Sequence, residues 1–121
     1  MKIGFTSSGE TLSAPLEERF GRAPKIIVFD SDTKSIEVQD NHAGVTATQG
    51  AGTQTAEKVA RLGIQCLVTG HCGPKAFRAL QAAGIQVFTA RSRTVEEALI
   101  DLQAGHLTAL QAADVEGPWA L

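Results

Sequence analysis

Gly63-Ile64-Gln65-Cys66-Leu67-Val68-Thr69-Gly70 is followed 21 residues later by Gly84-Ile85-Gln86-Val87-Phe88-Thr89-Ala90, and this pair of segments decides the fold. Each opens on a Gly-Ile-Gln triplet, runs through an apolar stretch of strand length and leads into helical periodicity. The segment at about 74–83 aligns Ala76, Phe77, Leu80 and Ala83. The segment at about 95–104 places Val95, Ala98, Leu99 and Leu102 on an i, i+3, i+4, i+7 stripe. Residues 63–83 and 84–104 therefore read as two copies of one strand–helix unit. Such alternation requires parallel strands joined by right-handed crossovers.

Outward from this repeat the punctuation is consistent. An earlier helical segment at about 53–62 carries Ala56, Val59, Ala60 and Leu62 on or near one face, and Gly63, Gly84 and Gly105 each close a helix, where a left-handed residue favours glycine. Pro74 suits a first helical turn. Thr94 and Glu97 have capping-box spacing. Toward the N-terminus, residues 2–6, 25–30 and 35–40 read as strands. Asp30-Ser31-Asp32-Thr33-Lys34 reads as a hairpin turn, so the second and third strands are antiparallel neighbours. Residues 7–24 read as a loop with a helical turn near 15–19. In the tail, 106–121, Leu107 and Leu110 are anchors before Gly117-Pro118-Trp119. The expectation is one α/β domain over 1–121, with its core at about 1–105. Its sheet is mixed and five-stranded, of order 3-2-1-4-5, with helices on both faces.

In an open sheet of this kind, ligands bind beyond the carboxyl ends of the parallel strands. That edge should collect residues 6–9, 19–22, 41–42, 50–52, 70–75 and 90–94. Gly50-Ala51-Gly52-Thr53, Gly70-His71-Cys72-Gly73-Pro74-Lys75 and Ala90-Arg91-Ser92-Arg93-Thr94 each precede a helix, where open N–H groups and the dipole favour an anion. Gly50, Ala51 and Gly52 lack the third glycine and the feeding strand of a dinucleotide site. They read either as a flexible lead into a helix or as a place for close backbone approach to an anion. His71 and Cys72, with Lys75 in the next turn, read as a turn or as candidate metal ligands, the thiol partly ionised by the helix end and the cation. Arg91 and Arg93 can hold an oxyanion by forked hydrogen bonds. Arg19, Arg22 and Lys25 add positive charge, and His42 shares the edge. Cys66, inside an apolar strand, reads as core.

Composition sets bounds. A net charge of -2 with no long basic stripe argues against nucleic acid, and five Phe, one Trp and no Tyr leave little stacking surface. Two cysteines make no disulfide framework and suit a reducing compartment. With no signal peptide and no apolar run approaching a membrane span, the expected location is cytoplasmic.

Arg19-Phe20-Gly21-Arg22-Ala23-Pro24, Gly50-Ala51-Gly52, Gly70-His71-Cys72-Gly73-Pro74-Lys75-Ala76-Phe77 and Ala83-Gly84-Ile85-Gln86-Val87-Phe88 together resemble the dinitrogenase iron-molybdenum cofactor family, over roughly 1–105. The resemblance implies a ribonuclease-H-like fold and a protein that binds, carries or inserts molybdenum- and iron-containing sulfide clusters. A stand-alone domain of this size is similar to the small carriers of sulfate reducers, which hold a molybdenum–copper sulfide cluster non-covalently. It implies a non-enzyme whose cargo is a Mo–Cu or Fe–Mo sulfide cluster and whose protein partners act in cluster assembly or delivery. Arg22, His42, Gly50, Ala51, Gly52, Gly73, Lys75, Arg91 and Arg93 would hold the cluster, and His71 and Cys72 would approach its metals or sulfides. Nuclease chemistry needs carboxylates clamping two metals, and the first strand offers none. Two alternatives stay open: an enzyme or sensor that takes a phosphorylated metabolite or nucleotide in the same anion cleft, and an interaction module with no ligand of its own.

Overall fold

The computed structural model describes residues 1–47 and 50–111. Five strands, β1 (Lys2–Ser7), β2 (Lys25–Asp30), β3 (Ile36–Asp40), β4 (Cys66–Thr69) and β5 (Gln86–Thr89), form one sheet of order β3-β2-β1-β4-β5. β2 runs antiparallel to β1 and β3, while β1, β4 and β5 are parallel. The mixed sheet and its order match the expectation from the sequence.

The repeat explains the parallel half. Gly63, Gly84 and Gly105 all adopt φ of +76° just beyond α2 (Ala51–Arg61), α3 (Pro74–Ala82) and α4 (Val95–Gln103). A side chain there would strain the backbone, so each glycine stops a helix and turns the chain toward its next segment. Two apolar cores follow. On one face, Ala56 and Val59 of α2 and Ala76, Phe77 and Leu80 of α3 pack with Ile26, Val28, Leu67 and Val87. On the other, Val95, Ala98 and Leu99 of α4 cover Ile3, Phe5, Ile27, Cys66 and Val68. Helices thus lie on both faces, and Cys66 is core, as expected. Burial pushes its thiol up to about 11.

Three local expectations are corrected. No helical turn occurs near 15–19; that segment is extended, and the turn is a 3₁₀ turn at Phe20–Arg22. α2 begins at Ala51, two residues earlier than its periodicity indicated, because Gly50 turns the chain with φ of +75°. A short helix, α1 (His42–Thr46), follows β3 where no element was expected. Its Gly44 and β-branched Val45 and Thr46 give little intrinsic helix signal. Past α4, Leu110 N–H donates to the Val87 carbonyl and Ala109 bridges Phe88, so this segment closes the β5 edge. Gly117-Pro118-Trp119 lies outside the described residues.

Candidate functional site

The carboxyl ends of β1, β4 and β5 meet beneath a strap, residues 12–20. Isolated bridges join Leu16 to Ser7, Pro15 to Thr94 and Arg19 to His71. Glu17 N–H donates to the Thr6 carbonyl (2.8 Å), Leu16 N–H to Arg93 (3.2 Å) and His71 N–H to Glu18 (2.6 Å). Underneath, two buried hydroxyls continue the tie. Thr6 Oγ1 donates to the Glu17 carbonyl at 2.9 Å and pairs with Thr69 Oγ1 at 2.8 Å. Gly70 is required by this crossing, since a Cβ there would stand 2.6 Å from the Cα and carbonyl oxygen of Glu18.

Against the strap opens a cleft of about 670 Å³, lined by Leu16, Glu18, Gly70, His71, Thr89, Ala90, Arg91, Ser92 and Arg93. This volume falls within the ordinary range for small-ligand sites. The β5–α4 loop is anchored at two points. Ser92 Oγ donates to Asp101 Oδ2 at 2.8 Å and Arg93 N–H to Glu97 Oε2 at 2.9 Å. The Arg91 and Arg93 side chains stay exposed. His71 is partly buried and its Nε2 lies 3.5 Å from Glu18 Oε1.

At α4 and α2 the helix starts expected to favour an anion are closed off by other parts of the chain, which corrects the expectation from the sequence for those two. At α4 the leading amides are taken: Val95 N–H donates to Ala14, Glu96 N–H to Leu12, and Glu97 N–H to Thr94 Oγ1 at 3.1 Å. The Thr94 cap was expected. Glu97 reaches back one residue further than a capping box, to Arg93. At α2, Gly21 of the 3₁₀ turn sits on the helix start, and a Cβ on it would come 2.6 Å from Gly52 N. Ala51 is fully buried, and a Cβ on Gly52 would stand 3.0 Å from Ala76 Cβ. Gly50, Ala51 and Gly52 therefore join α2 to the 3₁₀ turn and α3, and they do not line the cleft. Gly73 is the buried N-cap of α3, and Lys75 is exposed but likewise outside the lining.

Three other candidates are also placed elsewhere. Arg22 Nη1 donates to the carbonyls of Gly44, Val45 and Ala47 at 3.4, 3.3 and 2.6 Å, closing the end of α1 where a cation is favoured. His42 lies in a second hollow of about 310 Å³ with Asp40, Gln54, Glu57, Lys58 and Arg61. That hollow adjoins the β3 end, four strand spacings or roughly 19 Å from β5. Across such a gap a screening length of about 8–10 Å removes most of an exposed charge's influence. Cys72 is fully buried beside the core residues Phe20, Ala76 and Phe77, and its Sγ donates to the Gly73 carbonyl at 3.8 Å. The side chain turns inward, while its neighbour His71 lines the cleft. Lys25 pairs with Asp40 (3.3 Å) and Glu10 (3.7 Å), and its hydrogen bond holds the Asp40 carboxyl below the usual range.

The structure thus brings Arg91, Arg93 and His71 together and separates them from Arg22, His42, Cys72, Lys75 and the Gly50–Gly52 turn. Sequence reasoning missed Leu16 and Glu18, because residues 7–24 carry no periodicity that would announce a strap. Among the described residues no group of three or more His, Cys, Asp or Glu side chains could hold a metal ion. No helix among them is long and apolar enough to cross a membrane.

Known proteins place this architecture. The chain is similar to the apo form of the orange protein from Desulfovibrio gigas: 37% identity, TM-score 0.91, covering 94% of this chain and 96% of that one. A Thermotoga protein named for NifB superposes with TM-score 0.84 at 29% identity, covering 96% and 98%. An uncharacterised protein of Methanocaldococcus jannaschii is 28% identical over 102 residues, 82% of each chain. The dinitrogenase iron-molybdenum cofactor family matches residues 1–105, and the chain belongs to that family.

Proposed function

We propose that this protein is a carrier, not an enzyme, for an anionic molybdenum-containing metal-sulfide cluster of Mo–Cu or Fe–Mo type, held non-covalently in the cleft between the strap and the β5–α4 loop. The observation that carries this reading is the convergence of Arg91, Arg93 and His71 beside the apolar Leu16 and Ala90 in one cleft. Guanidinium groups supply countercharge and N–H donors to sulfide. The apolar lining suits a large anion whose charge is spread over sulfur. Both thiols of the chain are buried, so the described cleft offers one imidazole as its soft ligand. The donor set fits a polyanion whose metals arrive already coordinated by sulfide, and it does not fit assembly of a cluster on protein thiolates. Family membership supports the same cargo class. The sheet order accords with the ribonuclease-H-like fold implied by the resemblance. We place the carrier in the cytoplasm, with protein partners that act in cluster assembly or delivery.

Anaerobic incubation with tetrathiomolybdate and copper, followed by desalting at low ionic strength, tests this. Visible absorbance and molybdenum co-eluting with the protein are expected. A colourless, molybdenum-free protein that is instead stabilised by nucleotides or sugar phosphates would favour a phosphate-ligand sensor.

A further inference from the structure

We infer that Glu18 is a specificity-determining residue of the cleft, placed to reject compact oxyanions while leaving room for their sulfur analogues. The inference rests on the reading of the cleft as a thiometallate site. A pocket meant for anions in general gains nothing from a carboxylate in its wall, yet Glu18 lines the cleft that holds Arg91 and Arg93. Its backbone position is fixed. The Glu18 carbonyl accepts from His71 N–H at 2.6 Å, and a Cβ on Gly70 would strike its backbone. The side chain is exposed, and Oε1 stands 3.5 Å from His71 Nε2, which sets the carboxylate beside the imidazole of the cleft. The neighbouring Glu17 carboxylate instead accepts from Ser8 Oγ at 3.1 Å and does not line the cleft.

Discrimination follows from size and hardness. Phosphate, sulfate and molybdate concentrate charge on small oxygens and require donors on every side, so a carboxylate among the donors faces lone pair with lone pair. A thioanion of the same charge is larger, less strongly hydrated and able to rest on Leu16 and Ala90. Its charge is spread over four sulfurs, so the same carboxylate repels it less than it repels a compact oxyanion. Selectivity of this kind comes from a repulsive element set against the competitor as well as from contacts with the ligand.

Molybdate and tetrathiomolybdate are a matched pair, both tetrahedral dianions, and therefore separate specificity from bulk charge. Their affinities for the wild-type protein and for Glu18→Gln are compared by equilibrium titration at low salt, with Glu18→Ala as a second variant and thermal melting of the apo proteins as the fold check. Glu18→Gln should tighten molybdate about tenfold and tetrathiomolybdate by less than about threefold, narrowing the preference. An unchanged ratio in both variants, with the wild type still preferring the thioanion, would overturn the role of Glu18 and leave the carrier reading standing. Wild-type protein that binds neither anion, or both equally, would overturn the carrier reading and this inference with it.

Discussion

Single side chains in this protein divide by where their donors go, and residue type alone does not reveal that. Arg22 and Arg91 look alike in the sequence, but Arg22 Nη1 is committed to the carbonyls at the end of α1 whereas Arg91 faces the cleft. Arg22→Ala should therefore lower stability by about 1 kcal/mol through lost charge-assisted hydrogen bonds and leave tetrathiomolybdate binding unchanged. Denaturant titration and anion titration on one preparation check both halves. Cys72→Ala should behave in the same way. Removing a fully buried thiol from the Phe20–Phe77 core costs roughly 1–2 kcal/mol, and reconstitution should proceed as in wild type. Loss of bound molybdenum in either variant, with the fold intact, would return that residue to the binding site. The motif His71-Cys72 was legible as a pair beyond the carboxyl end of β4, but the alternation that sends one side chain to the cleft and the next to the core depends on how the strap crosses.

Among the elements, the repeat was the most readable part of the chain. Two Gly-Ile-Gln strands, three glycine-terminated helices and the Thr94 cap all carry local signals, and all appear in the structure. The strap and α1 were not legible, since their order comes from distant partners. Examples are the Thr6–Thr69 hydroxyl pair, and Asn41 Nδ2 donating to the Ala23 carbonyl (2.8 Å) and to Thr55 (3.1 Å). The same long-range packing explains why the starts of α4 and α2, expected to cradle an anion, are occupied by the strap and the 3₁₀ turn. Gly70→Ala tests the strap as an element. Its Cβ would press on the Glu18 backbone, costing about 1–3 kcal/mol. Because the displaced strap carries one cleft wall, tetrathiomolybdate affinity should fall as well. Thr94→Ala should cost about 1 kcal/mol of stability and perturb binding less. Equal loss of affinity in the two variants would argue that the β5–α4 loop, rather than the strap, shapes the cleft.

At the scale of the molecule, the two faces of the sheet serve different ends. The α4 face buries Cys66, whose thiol is raised from 9.0 to about 11. The folded protein then holds a proton that the unfolded chain releases, so this contribution is complete below pH 9 and is lost as pH rises toward 11. It amounts to about 2–3 kcal/mol. Chemical denaturation across that window should show the decline, and Cys66→Ala should flatten it. Along the carboxyl edge of the sheet, by contrast, the charges do not pool evenly. They separate into the arginine cleft at β5 and the mixed-charge hollow at β3. The account therefore stands on Arg91 and Arg93 holding a sulfur-rich polyanion largely through charge. Tetrathiomolybdate affinity of wild type and of an Arg91→Gln/Arg93→Gln double variant, measured from about 0.01 M to 1 M salt as the Debye length shrinks from about 30 to about 3 Å, tests this most directly. Wild-type affinity should fall steeply with salt. The variant should bind about tenfold more weakly at low salt, a modest loss for exposed guanidinium groups, and respond less to salt. Binding that is indifferent to salt and unaffected by removing both arginines would contradict it.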